Sequence, residues 1–301
     1  MENVFCTVFT PAYNRRDLMM RLYESLCVQY AKNFEWVIVD DGSTDGTEEV
    51  FSTLASDTFN IVYKKVENGG KHRAINKGLE LASGKVFAIV DSDDWLPPDA
   101  TKKIEKYFHE IEEEEKKFAG IALKKADGDT EISVGTTFQG ESVDATVLER
   151  KKYNINGDKF EVFYTEVLRN YPFPSFPDEK FMSEAVVWNR IAADGYMLRW
   201  YNDNAYFCNY LEGGLTDSHE RCLENSPQGY LLYIKELVKW NVLSFKQKMG
   251  HFSLYRKIRR KKDGWRVTAK ELDTSVLLLW FMYYVRIIID EIRNLRSKNG
   301  K

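Results

Sequence analysis

Three carboxylates and a serine stand together at Asp91-Ser92-Asp93-Asp94, directly after the apolar run Val86-Phe87-Ala88-Ile89-Val90. An apolar run that turns polar at its end reads as a buried strand surfacing at its last residue. Carboxylates this close repel one another, so water or a cation must offset the repulsion. A hard divalent cation, Mg²⁺ or Mn²⁺, prefers such oxygen ligands. Taken alone, the cluster also reads as a solvated acidic turn ahead of Pro97-Pro98.

What lies upstream changes that balance. Apolar, β-branched segments at residues 4–10, 34–39, 61–66 and 85–90 predict four strands. Between them, Leu18, Leu22 and Leu26, then Val50, Phe51 and Leu54, then Ala74, Ile75, Gly78, Leu79 and Ala82 recur at helical spacing, and Gly84 closes the last helix. A βαβαβαβ order with short connections predicts a parallel sheet covered by helices on both faces. In such sheets ligands bind beyond the carboxyl ends of the strands. The unusual residues lie at those ends: Tyr13-Asn14, Asp40-Asp41, Asn68-Gly69-Gly70-Lys71 and Asp91 to Asp94. Solvation alone does not explain four polar clusters along one edge.

Two familiar phosphate cradles are missing. No GxGxxG follows the first strand, and Gly70-Lys71 is followed by His72 rather than the Ser or Thr of a P-loop. A cation held by the Asp91–Asp94 cluster would have to take over that work.

Thr10-Pro11-Ala12-Tyr13-Asn14-Arg15, Val39-Asp40-Asp41-Gly42-Ser43-Thr44-Asp45, Asn68-Gly69-Gly70 and Val90-Asp91-Ser92-Asp93-Asp94 together resemble the inverting family 2 glycosyltransferases of the GT-A fold, of the bacterial surface-polysaccharide type. The resemblance covers residues 4–96 closely and 170–215 more loosely. It implies an α/β fold with a doubly wound, mostly parallel sheet and a Rossmann-like nucleotide-binding half. By the same resemblance, Pro11 and Tyr13 line the nucleobase pocket, and Asn14 is among the residues that bind the nucleotide sugar. Asp41 would accept the imide N–H of the base, which favours uracil. Asp40, Asn68 and Lys71 would lie near the nucleotide, with Asp91 near the ribose and Ser92 beside it. Asp93 would be the direct ligand of Mn²⁺ or Mg²⁺, with Asp91 in the same metal set.

Further along, residues 98–117 read as a helix with a charged outer face, and Gly120-Ile121-Ala122-Leu123 as a strand. Asp127-Gly128-Asp129 is a hairpin-type turn signal. Residues 131–163 show no clear period and receive no assignment; acceptor-side variation is expected there. Ser183-Glu184, with Trp188 and Arg190 at matching offsets, takes the place of an acidic pair that opens a helix in the resembled family. Glu184 thereby aligns with that family's catalytic base. It is one methylene longer, and Ser183 replaces the preceding acid. Asp178 and Glu179 are competing candidates. Glycines at 213 and 214, with His219 behind them, suggest a loop over the diphosphate; His219 is either a further metal ligand or a surface residue.

The 301 residues suit one large domain with an appendage: 1–220 as the catalytic domain, divided into a nucleotide-sugar half (1–97) and an acceptor half (98–220), then a helical, basic extension at 221–301. A net charge of -3 gives no case for nucleic acid. Residues 251–301 nevertheless carry 13 Lys/Arg against 5 Asp/Glu, leaving an acidic body. Val276 to Ile289 is apolar nearly all round, with Trp280, Tyr283 and Tyr284. Beside Arg256 to Lys262 it reads as an anionic membrane contact, or else as a helix buried on the main domain or in a homodimer. Four dispersed cysteines and no basic leader suggest a reduced, cytoplasmic setting, peripheral to the inner face of the cell membrane. The expected activity is metal-dependent, inverting transfer from a UDP-linked sugar to a hydroxyl of a glycan or lipid-linked glycan. A catalytically silent donor-binding partner and a sugar nucleotidyltransferase stay open beside it.

Overall fold

The structure is a computed structural model describing residues 4–209, 219–260 and 262–299. Its chain order opens β1 (Cys6–Ala12), α1 (Arg16–Cys27), β2 (Phe34–Asp40), α2 (Thr47–Phe51), β3 (Asn60–Lys65), α3 (Lys71–Leu81) and β4 (Val86–Ile89). These are the four strands and three helices expected, within two residues at most boundaries. Every residue of β1 and β2 is buried, as befits parallel strands covered on both faces.

The next elements are α4 (Ala100–Glu112), β5 (Phe118–Asp127), β6 (Ser142–Ala145), β7 (Lys159–Tyr164), α5 (Thr165–Arg169), α6 (Ala185–Ala193) and β8 (Met197–Cys208). Helices α7 (His219–Asn225), α8 (Pro227–Lys239), α9 (Phe245–Arg259), α10 (Trp265–Glu271) and α11 (Val276–Asn299) complete the chain. One eight-stranded sheet runs β3-β2-β1-β4-β7-β5-β8-β6. β1 pairs in parallel with both β2 and β4, so the strand order reverses at β1 and opens the crevice where ligands bind in such sheets. β7 runs antiparallel between β4 and β5, which restores β5 and its partner β8 to the direction of β1–β4.

β6 and β7 come from the stretch that showed no period. The β7 sequence Lys-Phe-Glu-Val-Phe-Tyr is buried at four of its six positions and partly buried at the other two, so no clean alternation appears. One other boundary also moves: α4 is shorter than the 98–117 expected.

The chain divides into two compact units. The first comprises residues 1–173 and 187–214, the second 174–186 and 215–301. This differs from the expected boundary at 220, because the 174–186 segment makes its contacts with the C-terminal helices. There the Phe181 N–H donates to Ser226 Oγ at 3.2 Å. The core of the first unit gathers Val8, Trp36, Phe51, Val90, Phe108, Ile121 and Tyr206 against α1, α2 and α4. The second has its own core of Tyr230, Ile234, Phe252, Tyr255, Leu279 and Met282.

Candidate active site

At the carboxyl edge of the sheet, loops from β1, β2, β3 and β4 are tied together by side chains that the motifs singled out. Asn14, with φ of 53°, is in the left-handed region that Asn tolerates. Its N–H donates to Ser43 Oγ at 2.9 Å, and its Oδ1 accepts the Thr44 N–H at 2.8 Å. The β1 and β2 loops are thereby clamped. Asp40 is fully buried: one oxygen accepts the Ser43 N–H at 2.7 Å, the other the Tyr63 hydroxyl.

Asp41 does the same work one loop further on. Its Oδ1 accepts the Gly69 N–H at 2.7 Å, and its Oδ2 accepts the Gly70 N–H at 2.8 Å and Asn68 Nδ2 at 3.1 Å. Gly42 makes the approach feasible. Its φ is +81°, and a Cβ there would sit 2.9 Å from the Asn68 nitrogen.

Lys71 opens α3 and reaches Asp91 at the end of β4, its Nζ 2.5 Å from Oδ1. Burial pushes the Asp91 carboxyl up, but the Lys71 and Lys125 ammonium groups outweigh it and hold the group below its ordinary value. Asp94 goes the other way. Burial, reinforced by the charge of Asp91, lifts it to about 7 against the pull of the Tyr206 hydrogen bond and Lys125. The Tyr206 hydroxyl donates to Asp94 Oδ2 at 2.6 Å and accepts the Asp91 N–H at 3.0 Å. One phenol from β8 therefore sets the start and the end of the acidic turn.

Asp93 differs from both neighbours. It is partly exposed, and its carboxylate takes no hydrogen bond or ion pair among the described residues. Its backbone carbonyl accepts from Arg21 Nη2, and the Arg21 guanidinium lies 3.6 Å from the centroid of the Trp95 ring. Among the described residues no group of three or more His, Cys, Asp or Glu side chains is arranged to hold a metal by itself. The donor set still fits a hard dication that takes one or two protein carboxylates and draws its other oxygens from a substrate phosphate and water. Asp93 is the carboxylate available for that; Asp91 is engaged by Lys71.

Tyr13 is 49% exposed at the same edge, a free aromatic face for a base. Pro11 is buried within β1, opposite Val39. Ser92 is buried in the acidic turn. Glu184 immediately precedes α6 and belongs to the second unit. Glu179, a rival to it, is buried, and its two carboxylate oxygens accept the Gln228 and Gly229 N–H groups at 2.8 and 2.9 Å, capping the start of α8. Asp178 is exposed, with φ of 62°. The 210–218 loop and the His219 side chain lie outside the described residues.

Arg21, Trp95, Lys125 and Tyr206 are the site residues that motif reading missed. Trp95 could have been suspected from its place directly behind the acidic cluster. Tyr206 had no signal at all, since only pairing of β8 with β5 brings it under Asp94.

The pattern of strand ends has a counterpart in known proteins. The sequence model for glycosyl transferase family 2 matches residues 7–168, more than half of the chain. The chain belongs to that family. A relative in Campylobacter jejuni, named GalNAc(5)-diNAcBac-PP-undecaprenol beta-1,3-glucosyltransferase, is 30% identical over 201 residues, covering 60% of this chain and 58% of that protein. In eight curated relatives the matched stretch spans 10 to 58% of the relative's own length. Among solved structures, S. aureus TarS 1-349 in complex with UDP-GlcNAc superposes with a TM-score of 0.60 at 19% identity, covering 94% of this chain and 87% of that one. The mannosyltransferase PcManGT from Pyrobaculum calidifontis, in complex with GDP-Man and Mn²⁺, gives 0.55 at 18% identity, covering 97% and 87%. These structures share the GT-A fold with this family 2 chain.

Proposed function

We propose that the protein transfers a sugar from a nucleotide sugar, UDP-linked, to a hydroxyl of a glycan or lipid-linked glycan, with inversion at the anomeric carbon and with Mn²⁺ or Mg²⁺ bound at Asp93. The observation that carries this reading is the rim itself. Four loops are bonded to one another through Asn14, Asp40, Asp41 and Lys71, while the Asp93 carboxylate takes no protein partner among the described residues. Such a preorganised edge suits a nucleotide diphosphate. Tyr13 offers the base a ring to stack on, and Asp41, by the family resemblance, is the carboxylate proposed to meet the imide N–H. A divalent cation bound there would act as a Lewis acid, neutralising the charge on the departing UDP. The UDP-GlcNAc complex of TarS and the Mn²⁺ complex of PcManGT support donor and metal class without naming the sugar.

Glu184 is the proposed base that takes the proton of the acceptor hydroxyl as it attacks the face opposite the diphosphate. Capping of α8 by Glu179 favours Glu184 between those two.

The proposed setting is cytoplasmic, on an anionic membrane surface. Leu277, Trp280, Phe281, Tyr284 and Ile288 form an exposed stripe on α11, with Leu277 at 82%. Trp and Tyr in such a stripe suit the headgroup level. No single described helix is long and apolar enough to cross a bilayer. Much of the basic cluster is engaged internally: Arg259 binds Asp263 and Glu271, Lys257 binds Glu220, and Arg256 is buried over Trp265. Arg260, Lys262, Arg266 and Lys270 are exposed and take no ion pair among the described residues. Trp265, next to Arg266, stacks on Tyr284 within the stripe at 6.1 Å. A second copy docked on this face would meet those like charges; anionic lipid would be drawn to them.

UDP release from a panel of UDP-sugars, with Mn²⁺ and bacterial glycan acceptors, tests the transfer. Turnover by the native protein and its loss in Glu184→Gln are expected. Donor binding without turnover in either would assign a silent donor-binding role instead.

A further inference from the structure

In the register of β5 and β7, Lys124 stands directly opposite Lys159. Residues so paired share a face, with Cβ atoms about 5 Å apart, and like charges in that relation destabilise a sheet. Both lysines are also buried, at 3% and 6% exposure. Two ammonium groups brought together on largely buried stems need an explanation.

Lys159 has one. Its ammonium donates to the Asn156 carbonyl at 2.6 Å and to the Val134 carbonyl at 3.4 Å. Burial, then the charges of Arg150 and Lys124, lower it to about 8. Lys124 has no such arrangement: among the described residues it makes no hydrogen bond and no ion pair. A third cation stands close by. Arg150 sits over the Trp200 ring at 5.3 Å, with Nη1 3.9 Å from Glu161, which shares the face of Lys159. Three cations therefore gather beside Glu161 on this face, with Asp158 also acting on Lys159, and the Lys124 ammonium, on a buried stem, has no hydrogen bond or ion pair among the described residues. Buried charges in folded proteins are paired or bind something.

We propose that Lys124, flanked by Lys159 and Arg150, receives an oxyanion, a phosphate or a carboxylate. Its location suggests which molecule brings it. The next residue, Lys125, points to the opposite face, where its Nζ lies 4.1 Å from the centroid of the Tyr206 ring, beneath Asp94. The oxyanion site is thus at the level of the acidic turn, across the sheet from it. It is also two strands beyond β4, about 10 Å at the usual strand spacing, so the donor diphosphate at Asp91 and Asp93 does not fill it. Resting on the transferase reading above, the anion belongs to the acceptor: a phosphodiester or a uronic acid carried by the glycan.

The test uses the full chain saturated with UDP and Mg²⁺, so that the donor subsite is already filled. Inorganic phosphate and glucuronate are titrated separately by calorimetry, against chloride at matched ionic strength. At least one of the two binds the native protein, and Lys124→Met weakens that binding at least tenfold while UDP affinity stays unchanged. Whichever anion binds more tightly distinguishes a phosphodiester acceptor from a uronate one. In chloride alone, Lys124→Met melts higher than the native protein, since the like charge facing Lys159 is gone; Lys124→Gln serves if the Met variant does not fold. Equal anion binding by native and variant proteins overturns the proposal, as does a native protein indifferent to both anions. Failure to bind UDP would instead sink the donor-site reading, and the anion titration without UDP would still decide this one.

Discussion

The Arg21 guanidinium lies over the Trp95 ring, 3.6 Å from its centroid, while one of its nitrogens donates to the Asp93 carbonyl. A side chain from the middle of α1 thereby fixes the turn that offers Asp93. Groups that orient a metal-binding carboxylate are typically worth about 10–100-fold in metal affinity or activity. Arg21→Met should weaken Mn²⁺-dependent UDP binding by that order, with little change in metal-free UDP binding. Lys at this position should rescue only in part, because an ammonium cannot stack and donate with one planar group. Isothermal titration with and without Mn²⁺ measures both; equal losses in the two would mean that Arg21 merely holds the fold.

Asp93→Ala should abolish the Mn²⁺-dependent part of UDP affinity and leave the melting temperature close to native. The carboxylate makes no protein contact among the described residues, so its removal should change stability by no more than about 0.5 kcal/mol. Calorimetry showing undiminished Mn²⁺-dependent affinity would dismiss Asp93 as the ligand.

Tyr206→Phe should cost more in stability than Asp93→Ala, although Tyr206 touches no substrate in the proposed mechanism. The phenol satisfies both Asp94 and the Asp91 N–H, and losing such a buried partner costs about 1–3 kcal/mol. Urea unfolding monitored by fluorescence reads the difference. A variant as stable as the native protein would show that water replaces the hydroxyl.

His72 gives the first unit an acid sensitivity. It is buried, its Nδ1 has no hydrogen-bond partner among the described residues, and burial, then the Arg73 charge, lower its pKa to about 4. Between that value and about 6.5 the unfolded chain binds a proton that the native state refuses, so stability falls as pH falls through this window. The loss attributable to this group approaches about 3 kcal/mol at pH 4. His72→Leu should flatten the stability profile between pH 6.5 and 4. An unchanged slope in urea titrations across that range would show that His72 titrates normally.

Trp280→Ser with Tyr284→Ser should reduce co-sedimentation with vesicles containing phosphatidylserine, while UDP affinity is kept. Binding to neutral vesicles should be weaker for the native protein, since exposed Lys and Arg contribute on the order of 1 kcal/mol each on an anionic surface. If the native protein ignores both vesicle types and instead sediments as a dimer that the double substitution dissolves, the stripe is a subunit contact.

The nucleotide-binding half was legible because its strands are short apolar runs that end abruptly in polar residues. Asp40-Asp41 and Asp91 to Asp94 announce themselves by that contrast. β7 was not legible, because a strand buried on both faces loses the alternation that marks one. Lys159 and Glu161 even make it look like surface. The interior role of Glu179 was equally hidden: a carboxylate capping a helix some fifty residues away reads locally as a loop acid. The basic tail misled in another way, since Arg256 and Arg259 find partners only once α9 and α10 fold together.

The placement of β7 has a consequence for how the protein is made. Residues 159–164 lie alongside β4, so the strand that bears the acidic turn keeps a bare edge until some seventy further residues have left the ribosome. A chain cut after residue 97 would present that edge to any neighbour. Expressing the donor-binding half by itself should therefore yield aggregates, and the shortest piece worth producing must run past Tyr164.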